Sequence, residues 1–252
     1  MRVLWCADAQ AAATAAAEIV ARQVRLRPRS VLALPTGRSA LPMYAHLSRL
    51  VRQGGLSLAE VTAFQLDEYV GLGPEDQSSF AAYVRRHLVA ATDVDPARVH
   101  VPRGDAPDPE AEACGYERAI AAVGGIDLAV LGLGANGHIA FNEPGSPAHS
   151  RTRVVALTWA TRAANAAWFG AAARVPERAI TLGLATIASA RAVVLIAAGA
   201  NKAAPLARLL AGERGPDLPA AVLLDHPDAL VAADRSLRPA AQGPEPALGN
   251  AG

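Results

Sequence analysis

Short apolar runs alternate along the chain with longer stretches in which apolar residues recur every three or four positions. Residues 3–5, 30–34, 61–66, 126–131, 192–199 and 229–233 are of strand length and apolar on both faces, the pattern of buried parallel strands. Residues 99–102 read as a further brief strand. Helices are predicted between them: an alanine-rich one through about residue 24, then 40–53, 78–91, 110–123 and one from about 202 to 210. In the third of these, Phe80, Tyr83, Val84 and Leu88 share a face, and His87 reads as a surface or packing residue. Residues 151–157 read as extended and 158–170 as helical, while 179–186 is an apolar stretch, broken by Gly183, that the pattern assigns to neither state. Strands alternating with helices predict a doubly wound, mostly parallel sheet flanked by helices, a Rossmann-like three-layer αβα arrangement. The expected organisation is a single α/β catalytic domain over 1–238. From 239 to 252 the composition turns to Pro, Gly, Ala and Gln, which reads as a disordered tail.

The strand ends carry the chemistry. The central run 126–131 leads into Gly132-Leu133-Gly134-Ala135-Asn136-Gly137-His138-Ile139-Ala140-Phe141-Asn142-Glu143-Pro144-Gly145. Its glycines form a G-x-G-x-x-G, but Pro144 forbids the long helix that a dinucleotide fingerprint opens, and no carboxylate follows Glu143 until Glu177. The dinucleotide reading therefore fails. What remains is a histidine and a glutamate at the carboxyl end of a buried strand, where open α/β sheets place ligands. The strand 30–34 ends in Pro35-Thr36-Gly37-Arg38-Ser39 before a helix. The loop alone is compatible with an ordinary strand–helix turn or with an anion cradle, and Arg38 and Ser39 add donors suited to phosphate. The strand 61–66 runs into the carboxylates Asp67 and Glu68. Lys202 stands at a helix start, where the macrodipole disfavours a cation; a bound anion would explain it, and so would plain solvation. Gathered at one sheet edge, these four places would hold a small phosphorylated substrate undergoing proton transfer.

Composition narrows the class. Across 252 residues, 52% are apolar and 19% charged, enough for a substantial core. A formal net charge of +1 makes no electrostatic case for nucleic acid or a membrane surface. No stretch reads as a transmembrane helix or a signal peptide. Two cysteines, Cys6 and Cys114, are too few for a disulfide framework and lack metal-ligand spacing. The expectation is a reduced, cytoplasmic protein with neither metal nor cofactor, and with self-association left open.

Leu34-Pro35-Thr36-Gly37, Leu66-Asp67-Glu68-Tyr69-Val70-Gly71 and the run from Gly134 to Gly145 resemble the glucosamine-6-phosphate deaminase family. The resemblance extends over about residues 1–235, with Ser150 to Arg153, Thr161, Arg162, Asn165 and Lys202 in place. The related 6-phosphogluconolactonases share the fold and the Gly-His element, but their pattern does not continue as Ile-Ala-Phe-Asn-Glu-Pro.

The resemblance implies a cofactor-free conversion of an amino-sugar 6-phosphate to a ketose 6-phosphate and ammonia. Asp67 matches the base that takes the C2 proton and delivers it to C1. His138 matches the residue that opens the pyranose ring, assisted by Glu143, with Asn136 beside them. Thr36, Gly37, Ser39 and Lys202 match phosphate-contacting positions, and residues 155–176 match a lid. Three departures from the family stand out. Asn136 stands where many members have aspartate. Ala167 replaces an arginine that closes over the phosphate, a loss that Arg38 could offset from the opposite side. Val155 and Ala156 replace an allosteric Lys-Thr pair, and Ala221 and Leu224 replace polar residues before His226, so activation by an N-acetylated sugar phosphate is not expected. These departures keep in view a deaminase for another amino sugar, a lactonase-type hydrolase and a non-catalytic sugar-phosphate binder.

Overall fold

The computed structural model describes residues 1–239. In chain order the elements are β1 (Arg2–Cys6), α1 (Ala9–Leu26), β2 (Val31–Leu34), α2 (Leu41–Arg52), β3 (Thr62–Gln65), β4 (Asp67–Tyr69), α3 (Phe80–His87), β5 (Val99–His100), α4 (Pro109–Ala122) and β6 (Leu128–Gly132). They continue with β7 (Arg153–Ala156), α5 (Trp159–Phe169), β8 (Arg178–Thr181), α6 (Leu184–Ala188), β9 (Ala192–Ala197), α7 (Ala203–Leu210) and β10 (Ala229–Asp234). Apart from Pro239, the stretch read as a disordered tail lies outside the described residues.

Seven strands form one sheet in the order β1-β10-β9-β6-β2-β3-β5, and every pairing in it is parallel. Successive residues feed opposite faces. Val31 and Ala33 enter one apolar cluster with Ala129 and Leu131, whereas Leu32 and Leu34 enter the other with Leu128 and Val130. Burial on both faces is why these strands read as unbroken apolar runs. The alanines of α1 serve the same packing: Ala12, Ala13, Ala16 and Ala17 are fully buried, and such small side chains let the helix lie close to the sheet. Asp8 caps that helix by accepting from the Ala11 N–H at 2.7 Å.

The chain winds outward from β2 through β3 to β5, then restarts at β6 and winds the other way through β9 and β10. The reversal falls between β2 and β6, and the carboxyl ends of four adjacent strands, β9, β6, β2 and β3, flank it. This switch point is where such sheets open a ligand crevice.

A second, three-stranded antiparallel sheet, β4-β8-β7, which the sequence pattern does not predict, accompanies the expected mostly parallel one. It arises because the chain leaves the large sheet at Leu66, whose N–H still bonds Leu34 at 3.3 Å and whose carbonyl accepts from Leu182 at 2.8 Å. Asp67 then pairs with Thr181, so the Asp67–Tyr69 segment is a strand of its own. The unassigned stretch 179–186 resolves into β8 followed by α6, divided at Gly183, which caps the helix. The helix expected over 78–91 is shorter: α3 ends at His87, and Val89–Ala91 forms a 3-10 turn. His87 lies against the Tyr83 ring, a packing role.

Candidate active site

The loop between β6 and β7 is folded tightly around its histidine. The Gly134 N–H donates to the His138 carbonyl at 2.8 Å, closing a short turn that brings the imidazole back over Gly134. A Cβ at Gly134 would overlap His138 Nδ1, so only glycine leaves room for the ring. Gly137 sits at φ +86° with Leu218 packed against it, again where a side chain would not fit. Ala140 holds φ 49°, an uncommon conformation for a residue with a Cβ, two positions past His138.

Asn136 mediates between the histidine and the glutamate. Its Nδ2 donates to Glu143 Oε2 at 2.7 Å, and its Oδ1 accepts from His138 Nδ1 at 2.7 Å and from the His138 N–H at 3.2 Å. A carboxylate only accepts, which fixes the amide orientation; the amide oxygen in turn requires the imidazole proton on Nδ1. The Nε2 lone pair is left free to take a proton. Glu143 Oε2 lies 3.9 Å from Nδ1, and Asn136 bridges the two side chains. Burial holds the imidazole below its ordinary pKa; the Glu143 charge raises it, and Lys202 lowers it further. A neutral ring at physiological pH follows.

Lys202 closes a 3-10 turn after β9 and precedes α7. Its ammonium makes no ion pair among the described residues, and partial burial lowers its pKa. A desolvated, unpaired cation favours the anion-holding interpretation over plain solvation. Across the switch point, Thr36 and Gly37 are half-buried after β2, and Arg38 and Ser39 are exposed at the start of α2. Tyr83 donates to the Gly37 carbonyl at 3.0 Å and steadies this loop from α3. A Cβ at Gly132 would approach Ser39 Oγ to 3.6 Å, so the two loops adjoin.

Asp67 is 6% exposed at the end of the neighbouring strand. Burial pushes its carboxyl up to about 8, and the charge of Glu68 adds to the rise, while the adjacent Gln65 amide opposes it. Glu68, although buried too, accepts backbone N–H groups of Tyr69, Phe80 and Ala81 at 2.8, 3.0 and 2.8 Å. It anchors the first turn of α3 rather than facing a ligand.

All nine candidates follow the four central strand ends. Two further contributors have no role assigned by the sequence pattern. Thr158 and Thr161, at the start of α5, both donate to Glu143 Oε1, the former at 3.3 Å. The signal available is Thr158 as a helix cap, which it is, accepting the Thr161 N–H at 3.2 Å. No cluster of His, Cys, Asp or Glu among the described residues could hold a metal ion.

Residues 7–232 match the protein family described as glucosamine-6-phosphate isomerases/6-phosphogluconolactonase. A glucosamine-6-phosphate deaminase of Rhodopirellula baltica is 46% identical over 229 residues, 91% of each chain. One from Cutibacterium acnes is 44% identical, covering 93% of this chain and 90% of its own. Among solved structures, a monomeric glucosamine-6-phosphate deaminase superposes with a TM-score of 0.92 at 39% identity, covering 94% of this chain and all of the other. The 6-phosphogluconolactonase from Trypanosoma cruzi, at 20% identity and a TM-score of 0.74 over 94% of this chain and 95% of its own, shares the fold.

Proposed function

Within the family to which the chain belongs, that of the glucosamine-6-phosphate isomerases and 6-phosphogluconolactonases, two reactions compete, and we propose that this protein catalyses the first kind: glucosamine 6-phosphate and water to fructose 6-phosphate and ammonia. The observation that carries the reading is Asp67, a buried carboxylate raised to about 8 at one of the central strand ends, with a neutral imidazole after another, among relatives named for the deaminase. Hydrolysis of a lactone needs no such base at a sugar carbon; migration of a proton from C2 to C1 does.

His138 Nε2 takes the C1 hydroxyl proton and returns one to the ring oxygen, opening the pyranose to its aldehyde. Glu143, acting through Asn136, stabilises the transient imidazolium. Asp67 then removes the C2 proton, acidified by the C1 carbonyl; the electron pair forms the C1=C2 bond and the carbonyl oxygen takes a proton from the substrate's own ammonium, giving an enolamine. Returning the proton to C1 leaves an imine at C2, which water hydrolyses to the ketone and ammonia. The raised pKa makes Asp67 a far stronger base than a solvated carboxylate. Thr36, Gly37, Ser39 and Lys202 hold the phosphate at the switch point, and Arg38 takes over the charge that Ala167 does not supply. Residues 155–176, with α5 at their centre, act as the lid over one catalytic domain. No described helix is long and apolar enough to cross a membrane. A phosphorylated sugar, too polar to cross a membrane unaided, is a substrate suited to a cytoplasmic enzyme.

The test is a substrate panel: glucosamine 6-phosphate, galactosamine 6-phosphate, unphosphorylated glucosamine and 6-phosphogluconolactone, followed by ammonia release and by lactone opening. Ammonia with the first supports the reading. Ammonia with another amino sugar alone would make Ala167 a mark of altered specificity, and lactone opening alone would replace the reading. A folded protein that binds the sugar phosphate and is silent with all four would be a binder.

A further inference from the structure

Glu143 is 7% exposed, and its two oxygens serve different elements. Oε2 faces Asn136, and through it the imidazole. Oε1 is held by the hydroxyls of Thr158 and Thr161, both in the opening turn of α5. Thr161 is 4% exposed. A threonine hydroxyl inside a helix usually donates to the carbonyl one turn back, yet here it leaves its own helix and reaches a carboxylate 18 positions earlier. The far end of α5 rests on the other half of the site: the Trp168 ring centroid lies 6.0 Å from that of Tyr83, and Phe169 meets Tyr69, two residues past Asp67, at 5.1 Å.

We propose that Thr161 is a positioning residue for Glu143, and that the seat of α5 thereby sets the imidazole of His138; this rests on the deaminase reading above. A carboxylate anchored at one oxygen has its other oxygen aimed. With Oε1 fixed, Oε2 meets Asn136 Nδ2, the amide cannot turn over, and His138 keeps its proton on Nδ1. Without the Thr161 hydroxyl, Oε1 keeps only the 3.3 Å bond from Thr158, the carboxylate is freer to rotate about its terminal torsion, and its hold on the Asn136 amide weakens, so the Nδ1 tautomer of the ring is less strongly favoured. The same contact links the seating of the expected lid to the acid–base group, so the site is fully assembled only when α5 is in place.

The experiment compares Thr161→Val, which keeps the shape and removes the hydroxyl, with Thr161→Ser, which keeps the hydroxyl, each also in a Glu143→Gln background. A hydrogen bond to a charged group corresponds to roughly a 10-fold change in rate, so Thr161→Val should lower kcat by about 10-fold. KM should stay within about 2-fold, and serine should restore kcat to within about 2-fold. In Glu143→Gln the valine change should cost at most about 2-fold, because no charge remains to be held. A rise in KM at unchanged kcat, failure of serine to rescue, or an undiminished loss in Glu143→Gln would overturn the assignment. Nitrogen-15 spectra of His138 provide a readout without turnover: protonation on Nδ1 in the parent and Thr161→Ser, and a tautomer mixture in Thr161→Val. An unchanged tautomer in the valine variant overturns the proposal even if the parent releases no ammonia, whereas a silent parent with a tautomer shift removes the deaminase reading and leaves Thr161 in its role.

Discussion

Asp67 and Glu68 share a peptide bond and meet opposite environments: Glu68 accepts the backbone N–H of Tyr69 and those of Phe80 and Ala81 at the start of α3, whereas Asp67, buried as well, accepts no backbone N–H among the described residues. The first is a structural carboxylate. The second is the base of the proposed reaction, and its burial carries a thermodynamic signature.

The folded pKa of Asp67, about 8, lies above its ordinary value of 3.8. Between those values the folded state holds a proton that the unfolded chain has released, so stability falls as pH rises through that window. Asp67→Asn removes the charge and with it the penalty. The variant should melt at about 5 °C or more above the parent at pH 8.5, a few kcal/mol at the usual conversion for a domain of this size. The gap should close at about pH 4. Calorimetry at the two pH values checks this; a variant melting no higher at pH 8.5 would mean that Asp67 is not held as a desolvated base.

The same group sets the pH–rate profile. The base works deprotonated, so kcat/KM should climb with pH and level off above about 8. His138, held below its usual pKa, should not add a second rise near neutrality. Initial rates from pH 5.5 to 9.5 would show it, and a plateau already reached at pH 6 would contradict the assignment of Asp67.

Gly134 lies beneath the imidazole, and an added methyl would collide with Nδ1. Gly134→Ala should displace the ring and break its bond to Asn136. The expected loss in kcat is about 100-fold or more, the scale of removing a general acid–base group. Far-ultraviolet circular dichroism should be unchanged, since the turn itself remains possible for alanine.

Arg38 is exposed and without an ion pair or side-chain hydrogen bond among the described residues, and Ala167 on α5 brings no charge to the phosphate. Arg38→Ala should raise KM by about 10-fold and leave kcat within about 2-fold, as for a contact made equally in ground and transition states. An unchanged KM would remove Arg38 from the phosphate site.

The parallel sheet was legible because its strands are buried on both faces and so appear as unbroken apolar runs; Val31–Leu34 is the clearest case. The four polar strand ends were legible for the complementary reason, since Asp67, His138 and Lys202 interrupt apolar surroundings. The small antiparallel sheet was not. Asp67–Tyr69 is only three residues long, and its partner Arg178–Thr181 lies more than a hundred positions away, so no local periodicity betrays the pairing. The Asn136 relay was likewise hidden: the sequence places Asn136, His138 and Glu143 in one loop, but only the fold decides which side chain stands between the other two.

The central claim is that Asp67 moves the proton that turns an amino aldose phosphate into a ketose and ammonia. Ammonia release from glucosamine 6-phosphate at pH 8, measured for the parent and for Asp67→Asn, tests it most directly. Ammonia and fructose 6-phosphate in equal amounts are expected from the parent, and a loss of about 1,000-fold or more in the folded variant, within the range set by removing an essential base. A variant retaining about a tenth of the parental rate would contradict it, because no general base loses so little when its carboxylate is removed.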